Sequence, residues 1–183
     1  MSLNYALRLV YRVLHRIYIR MQIADIKCNK NLQIEDKINV LGKVYMNATQ
    51  VKFGKNVTLY PDCYFLGKNI EIGDNVDIGI GTIIYSRNGV KIGSNTSIAA
   101  QCYIIDSNHG MARDTLIREQ PMDTAENGIE IGEDVWIAAQ CMVLKGAKIN
   151  DHAVIGAQSL VNSEIPENAI AIGIPARVKS YRQ

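Results

Sequence analysis

The stretch Ile131-Gly-Glu-Asp-Val-Trp-Ile137-Ala-Ala-Gln-Cys-Met-Val143-Leu-Lys-Gly-Ala-Lys-Ile149 sets aliphatic side chains six residues apart, and Ile155 and Val161 continue the step. The same step links Ile72, Ile78 and Ile84, and again Ile92, Ile98 and Ile104. A helix repeats at 3.6 residues and a simple strand at 2, so neither accounts for six. A short strand followed by a turn does. Three such units return the chain above its starting point and make one coil of a triangular parallel β-helix. Four residues after most of the aliphatics stands a small or β-branched residue, as at Val76, Thr82, Thr96, Cys102, Val135, Cys141, Ala147, Ala153 and Ser159. These are expected to fill the inside of the corners.

Traced outward, the repeat begins near Ile34, Val40 and Met46, then Phe53, Leu59 and Phe65. About six coils result. The expected organisation is an amphipathic helix over 1–30, a β-helix over 31–166 and a basic C-terminal cap over 167–183, either a short helix or extended. The step lengthens between Met46 and Phe53, Phe65 and Ile72, and Ile84 and Ile92, always at the corner between third and first sides. The largest excursion, Ile104 to Ile131, falls at that corner too. Residues 107–128 therefore form a projecting loop, and so long an insertion in a regular repeat points to function.

Strand neighbours alternate in direction, so the residue before each inward aliphatic faces out. On the third side these are Tyr45, Tyr64, Ile83, Tyr103, Met142 and Leu160, an apolar stripe that reads as a subunit seam. On the first side they are polar throughout: Gln33, Lys52, Glu71, Lys91, Glu130 and Lys148. A three-sided prism with one apolar side suits a three-fold assembly.

The 183 residues carry a net charge of +2. Arg8, Arg12, Arg16 and Arg20 stand in a segment without acid up to residue 24, and Arg177, Lys179 and Arg182 make the C-terminus basic, so the rest of the chain is acidic. Leu3, Leu7, Val10, Leu14, Ile17 and Met21 recur at helical spacing in the first segment. That helix is expected either to lie against the domain or to associate peripherally with a membrane surface. Arginines interrupt its apolar positions, so neither a secretory signal nor the roughly 18 apolar residues of a membrane span is read there. Cys63, Cys102 and Cys141 occupy small inward positions. Cys102 and Cys141 fall in adjacent coils within reach of a disulfide, but the reading is of core thiols in a cytoplasmic protein.

Of three histidines, His15 lies in the helix, His152 at a coil turn expected to be solvated, and His109 at the start of the long loop in Asp106-Ser-Asn-His109-Gly. An imidazole at the base of a projecting loop is a candidate general base. The histidines are too few for a three-histidine zinc site, and CxxC, GxSxG and glycine-rich phosphate loops are missing. No metal and no nucleic-acid partner is expected.

Together with the six-residue repeat, Asp106-Ser-Asn-His109-Gly, Glu119-Gln-Pro121, Ile129-Glu-Ile-Gly-Glu-Asp-Val-Trp136-Ile, Ile155-Gly-Ala-Gln-Ser, Ile165-Pro-Glu-Asn and Gly173-Ile-Pro-Ala-Arg177-Val resemble the hexapeptide-repeat acyltransferases. The likeness spans about residues 34–180 and is nearest the branch of galactoside, maltose and polysaccharide O-acetyltransferases. It implies a left-handed β-helix, against the usual right-handed crossover. It also implies a homotrimer with sites between subunits and acetyl-CoA lying along the coils at 137–163. His109 matches the catalytic base, Trp136 the lining of the acyl-transfer site, Ala139 a backbone N–H facing the thioester carbonyl, Ala157 a pantetheine contact and Arg177 a phosphate contact. The family often has Ser at Ala139, Thr-Lys at Asn162-Ser163 and Gly at Ala138 and Gln158. Asp106 and Asn108 are candidates for binding the acceptor, and Asp106, Glu119 or Glu126 for orienting His109. The implied reaction is O-acetylation of a sugar hydroxyl in cell-surface polysaccharide synthesis. N-acetylation of an amino sugar or antibiotic is the alternative, and a non-catalytic β-helix a third reading.

Overall fold

The computed structural model describes residues 3–28 and 32–183. Helix α1, Leu3–Cys28, precedes a parallel β-helix whose inward columns follow the six-residue step. The first column runs Phe53, Ile72, Ile92, Ile131, Ile149, Ile165 in direct register. The second runs Val40, Leu59, Ile78, Ile98, Ile137, Ile155, Ala171. The third runs Met46, Phe65, Ile84, Ile104, Val143, Val161. All but Met46 are buried. The first two sides each hold seven strands rather than six, because Glu164–Ile165 and Ala169–Ile172 stack as a further turn. The six-residue step misses it: the step from Val161 to Ile165 is only four, which shortens that corner.

The small residues close the corners from inside. Thr82 Oγ1 donates to Ala99 O at 2.9 Å and accepts the Cys102 N–H at 3.2 Å, and Thr96 does the same toward Gly132 O and Val135 N. Each hydroxyl joins two coils where an aliphatic would leave backbone groups unpaired. Cys63, Cys102 and Cys141 are free and buried, and burial pushes the Cys63 thiol up to about 12.

The outside of the corners was not read from the repeat. Asn56, Asn75, Asn95, Asp134, His152 and Asn168 take positive φ at one corner, and Asp62, Gln101, Gln140 and Gln158 at the next. Asn and Asp tolerate the left-handed region better than most residues. The amides also stack: Asn56 on Asn75 at 3.1 Å, Asn75 on Asn95 at 3.0 Å, and Gln158 on Gln140 on Gln101 at 3.1 Å each.

Among the described residues the N-terminal helix meets the body at its C-terminal end, where Ile23 packs on the core and Gln22 Oε1 accepts the Val44 N–H at 3.4 Å. Among the described residues no helix is long and apolar enough to cross a membrane. The C-terminal cap is extended: Arg177–Tyr181 pairs antiparallel with Ala169–Ile172. The loop is more ordered than a bare excursion, with Ser107–His109 and Met122–Thr124 forming an antiparallel ribbon below a 3-10 turn at Ile117–Glu119.

Ile137 is fully buried in the middle of its column. Ile137→Ala is expected to destabilise the chain by about 2–5 kcal/mol, read as a lower denaturant midpoint. Gln140→Val should also destabilise, because a β-branched residue is strained at the φ of 61° held there.

Candidate active site

The loop is anchored by one buried carboxylate. Asp106, fully buried, accepts the backbone N–H groups of Arg87 at 2.8 Å, Asn88 at 2.7 Å and Gly89 at 2.8 Å, with the Ser86 hydroxyl at 3.4 Å. Those donors belong to the turn of the coil beneath. Asn88 Nδ2 in turn donates to Ala125 O at 2.8 Å and Glu126 O at 2.7 Å, where the loop returns. The Ala125 N–H closes onto Asp106 O at 3.0 Å. Gly128, at φ +70°, lies so close to Gly89 O that an added Cβ would sit 2.0 Å from it. Both ends of the loop are thus fixed to one turn.

From this root the ribbon rises in register, Ser107 opposite Thr124, Asn108 opposite Asp123 and His109 opposite Met122. Lys145 pairs with Asp123, tying the ribbon to the coil stack. Gln120 braces the far part, accepting the Ala112 N–H at 2.7 Å and donating to Ala112 O and Thr115 O. Asn108 and His109 are exposed at the ribbon's start. The His109 imidazole makes no hydrogen bond or ion pair among the described residues.

Asp106 does not fit the roles of acceptor contact or His109 partner. It is sealed from solvent and its oxygens are committed to the Arg87–Gly89 turn, so it positions the loop. Glu119 and Glu126 are exposed on the loop and do not bond to His109.

Trp136 stands on the second side, 54% exposed. Beside it, Ala138 and Gln140 commit their N–H groups to Ile155 O and Ala100 O, both at 2.9 Å, whereas no backbone bond of this turn uses the Ala139 N–H. One coil on, Ala157 is exposed, with its small side chain leaving the surface open. Arg177 opens the last strand, exposed, with Nη1 donating to Ala176 O at 2.9 Å. Trp136, Ala139 and Ala157 belong to two successive coils and Arg177 to the cap strand. His109 belongs to the loop that precedes them.

His152 is not simply solvated. It is half-buried, its Nδ1 lies 3.0 Å from Asp134 Oδ2, and Arg182 Nη1 reaches the same oxygen at 2.8 Å and His152 O at 3.1 Å. Arg182, followed by His152, holds the Asp134 carboxyl below the usual carboxylate range. Asp134 and Arg182 also line a cavity of about 470 Å³ with Asn95, Ser97, Trp136 and Val154. Pairing over such sequence distance left no local signal. On the first side, Lys52, Glu71, Lys91, Glu130, Lys148 and Glu164 alternate in charge along the register, with Lys52–Glu71 at 2.7 Å and Lys148–Glu130 at 3.8 Å. Among the described residues no three metal-ligating side chains converge.

With this geometry in place, likeness to known proteins can be stated. Residues 128–163 match the family model of the bacterial transferase hexapeptide (six repeats). No curated protein matches the chain in sequence. Among solved structures, AntD of Bacillus cereus, an N-acyltransferase in complex with dTDP and coenzyme A, superposes with a TM-score of 0.76 at 18% identity, over 88% of this chain and 89% of that one. A maltose O-acetyltransferase from Clostridium difficile gives 0.60 at 24% identity over 93% and 88%. A hexapeptide-repeat acetyltransferase of Vibrio cholerae, complexed with acetyl coenzyme A, gives 0.52 at 21% over 79% and 72%. The chain thus carries the hexapeptide repeat and the left-handed parallel β-helix fold that the resemblance implied.

Asp106→Ala removes three charge-assisted bonds, each contributing roughly 1.5–3 kcal/mol. Amide exchange over 107–109 and 122–124 should accelerate while the coil columns stay protected. The depressed Asp134 carboxyl makes a stability contribution that is present above the ordinary Asp range and lost as pH falls below about 4 toward its folded-state value. Protection over 177–181, taken relative to the intrinsic exchange rate at each pH, should therefore fall on acidification, and Arg182→Gln should lower it at neutral pH.

Proposed function

We propose that the protein is an acetyl-CoA-dependent O-acetyltransferase acting on a sugar hydroxyl, in cell-surface polysaccharide synthesis. The observation that carries this reading is the free imidazole of His109 on a ribbon rooted rigidly at Asp106. A catalytic base must be both unoccupied and held in place.

In this mechanism the His109 imidazole takes the proton of the acceptor hydroxyl as its oxygen attacks the thioester carbonyl. The new C–O bond gives a tetrahedral oxyanion, which the free Ala139 N–H stabilises. The C–S bond then breaks, the carbonyl re-forms, and the imidazolium returns its proton to the CoA thiolate. Trp136 lines the acyl group, Ala157 lets the pantetheine approach the coil, and Arg177 meets a phosphate. Asn108, exposed beside the base, is assigned to the acceptor. The site is completed between subunits of a homotrimer sealed along Tyr64, Ile83, Tyr103, Met142 and Leu160, each of which is only partly covered in the single chain. The proposed compartment is the cytoplasm, in keeping with three reduced thiols.

N-acylation of an amino sugar is the second reading. A solved structure of AntD with TM-score 0.71 contains dTDP-4-amino-4,6-dideoxyglucose and coenzyme A. Thiol release from acetyl-CoA across a panel of neutral glycans and amino sugars decides between the two. On the accepted substrate, His109→Ala should lower kcat about 10²–10⁴-fold with little change in acetyl-CoA affinity. Arg177→Ala should raise the KM for acetyl-CoA with a smaller effect on kcat. Full activity in His109→Ala would remove the proposed site.

A further inference from the structure

The side of α1 that faces away from the body has an order of its own. Leu7, Val10, Leu14, Ile17 and Met21 are 48–61% exposed although apolar. Their spacing is three, four, three and four residues, and Leu3 and Ala24 extend the pattern in sequence. That is a heptad, with Leu7, Leu14 and Met21 at a, and Val10, Ile17 and Ala24 at d. The part-buried residues of the helix, Ile19, Gln22 and Ile23, lie off this seam. At 100° per residue they centre roughly opposite to it. Arg8, Arg12 and Arg16 fall at b, f and c, outside the seam.

The helix is therefore held to its own domain by one face and presents a regular apolar seam on the other. Leucine at a with β-branched residues at d disfavours two strands and favours three or four. Tyr11 and Tyr18 at e and Val13 at g widen the seam, as a coil of more than two strands requires. The face opposite the seam is the one seated beside the outward stripe of the third side. Gln22 bonds to Val44, the first residue of that side, next to Tyr45, which stacks on Tyr64 with ring centroids 4.2 Å apart.

We propose that the occupant of this seam is a second and third copy of the same helix, forming a parallel three-stranded coiled coil at the N-terminal end of the assembly. The proposal rests on the three-chain reading above and does not depend on the acyl transfer. The coil would bind the trimer at a second place, independent of the β-helix sides.

The test uses the full chain, with light scattering for mass and hydrogen exchange for residues 7–21. The wild type should have the mass of three chains and slow exchange in that segment. Leu14→Lys should accelerate exchange there about 10–100-fold, the factor for withdrawing one leucine from burial, while the β-helix sides keep the mass at three chains. Arg12→Gln should change neither. A three-chain protein whose residues 7–21 exchange as fast in wild type as in Leu14→Lys overturns the coil and leaves the trimer standing. A monomer overturns both. Protection that appears only with vesicles of phosphatidylglycerol and phosphatidylcholine, and is lost when Arg8, Arg12, Arg16 and Arg20 are all changed to Gln, also overturns it. That result would assign the helix to an anionic lipid surface.

Discussion

Each inner coil of this molecule buries its three inward side chains against only two neighbours, the coil above and the coil below. The interior is too narrow for anything else. Aliphatics must therefore recur at one position per side, and small residues must recur at the corners, or the next coil cannot seat. Fully burying an Ile or Val gives roughly 1.5–3 kcal/mol, and these columns repeat that gain down the length of the prism. The cost of the arrangement is rigidity of register. A residue added within a side would turn the remaining aliphatics of that side outward, so additions are confined to the one corner where the step already lengthens.

That constraint explains where chemistry can be placed. The corner between Ile104 and Ile131 takes an insertion because its two ends return to one turn, Arg87–Gly89, through Asp106 and Asn88. A flexible loop becomes a fixed ribbon without adding to the core. The exposed His109 owes its definition to a carboxylate that solvent does not reach.

The periodic parts of the molecule were legible in the sequence because each side chain there answers a short-range demand. Ile131, Ile137 and Val143 show their burial by spacing alone, and Tyr64 and Tyr103 show their outward direction by alternation. The repeat lost the seventh turn because Val161 and Ile165 break the step. His109 was legible as the one histidine on an insertion. The work of Asp106 was not, since its partners are backbone groups nearly twenty residues earlier, and backbone leaves no trace in sequence. The same holds for the Asp134–His152–Arg182 cluster, whose members meet across as many as 48 residues. The left-handed corners were visible only as a scatter of Asn, Asp and Gln whose common φ the spacing did not reveal.

The final strand runs against the direction of all the others in its sheet. A parallel β-helix left open at its last coil would present a full row of unpaired backbone groups to the first coil of another molecule, and nothing in its geometry would halt such growth. On the second side Arg177–Tyr181 folds back across Ala169–Ile172 and occupies that row itself. Because the covering strand is antiparallel, basic and pinned at Arg182, it offers no continuation of the hexapeptide register. On that side the chain thereby carries its own terminator against edge-to-edge growth.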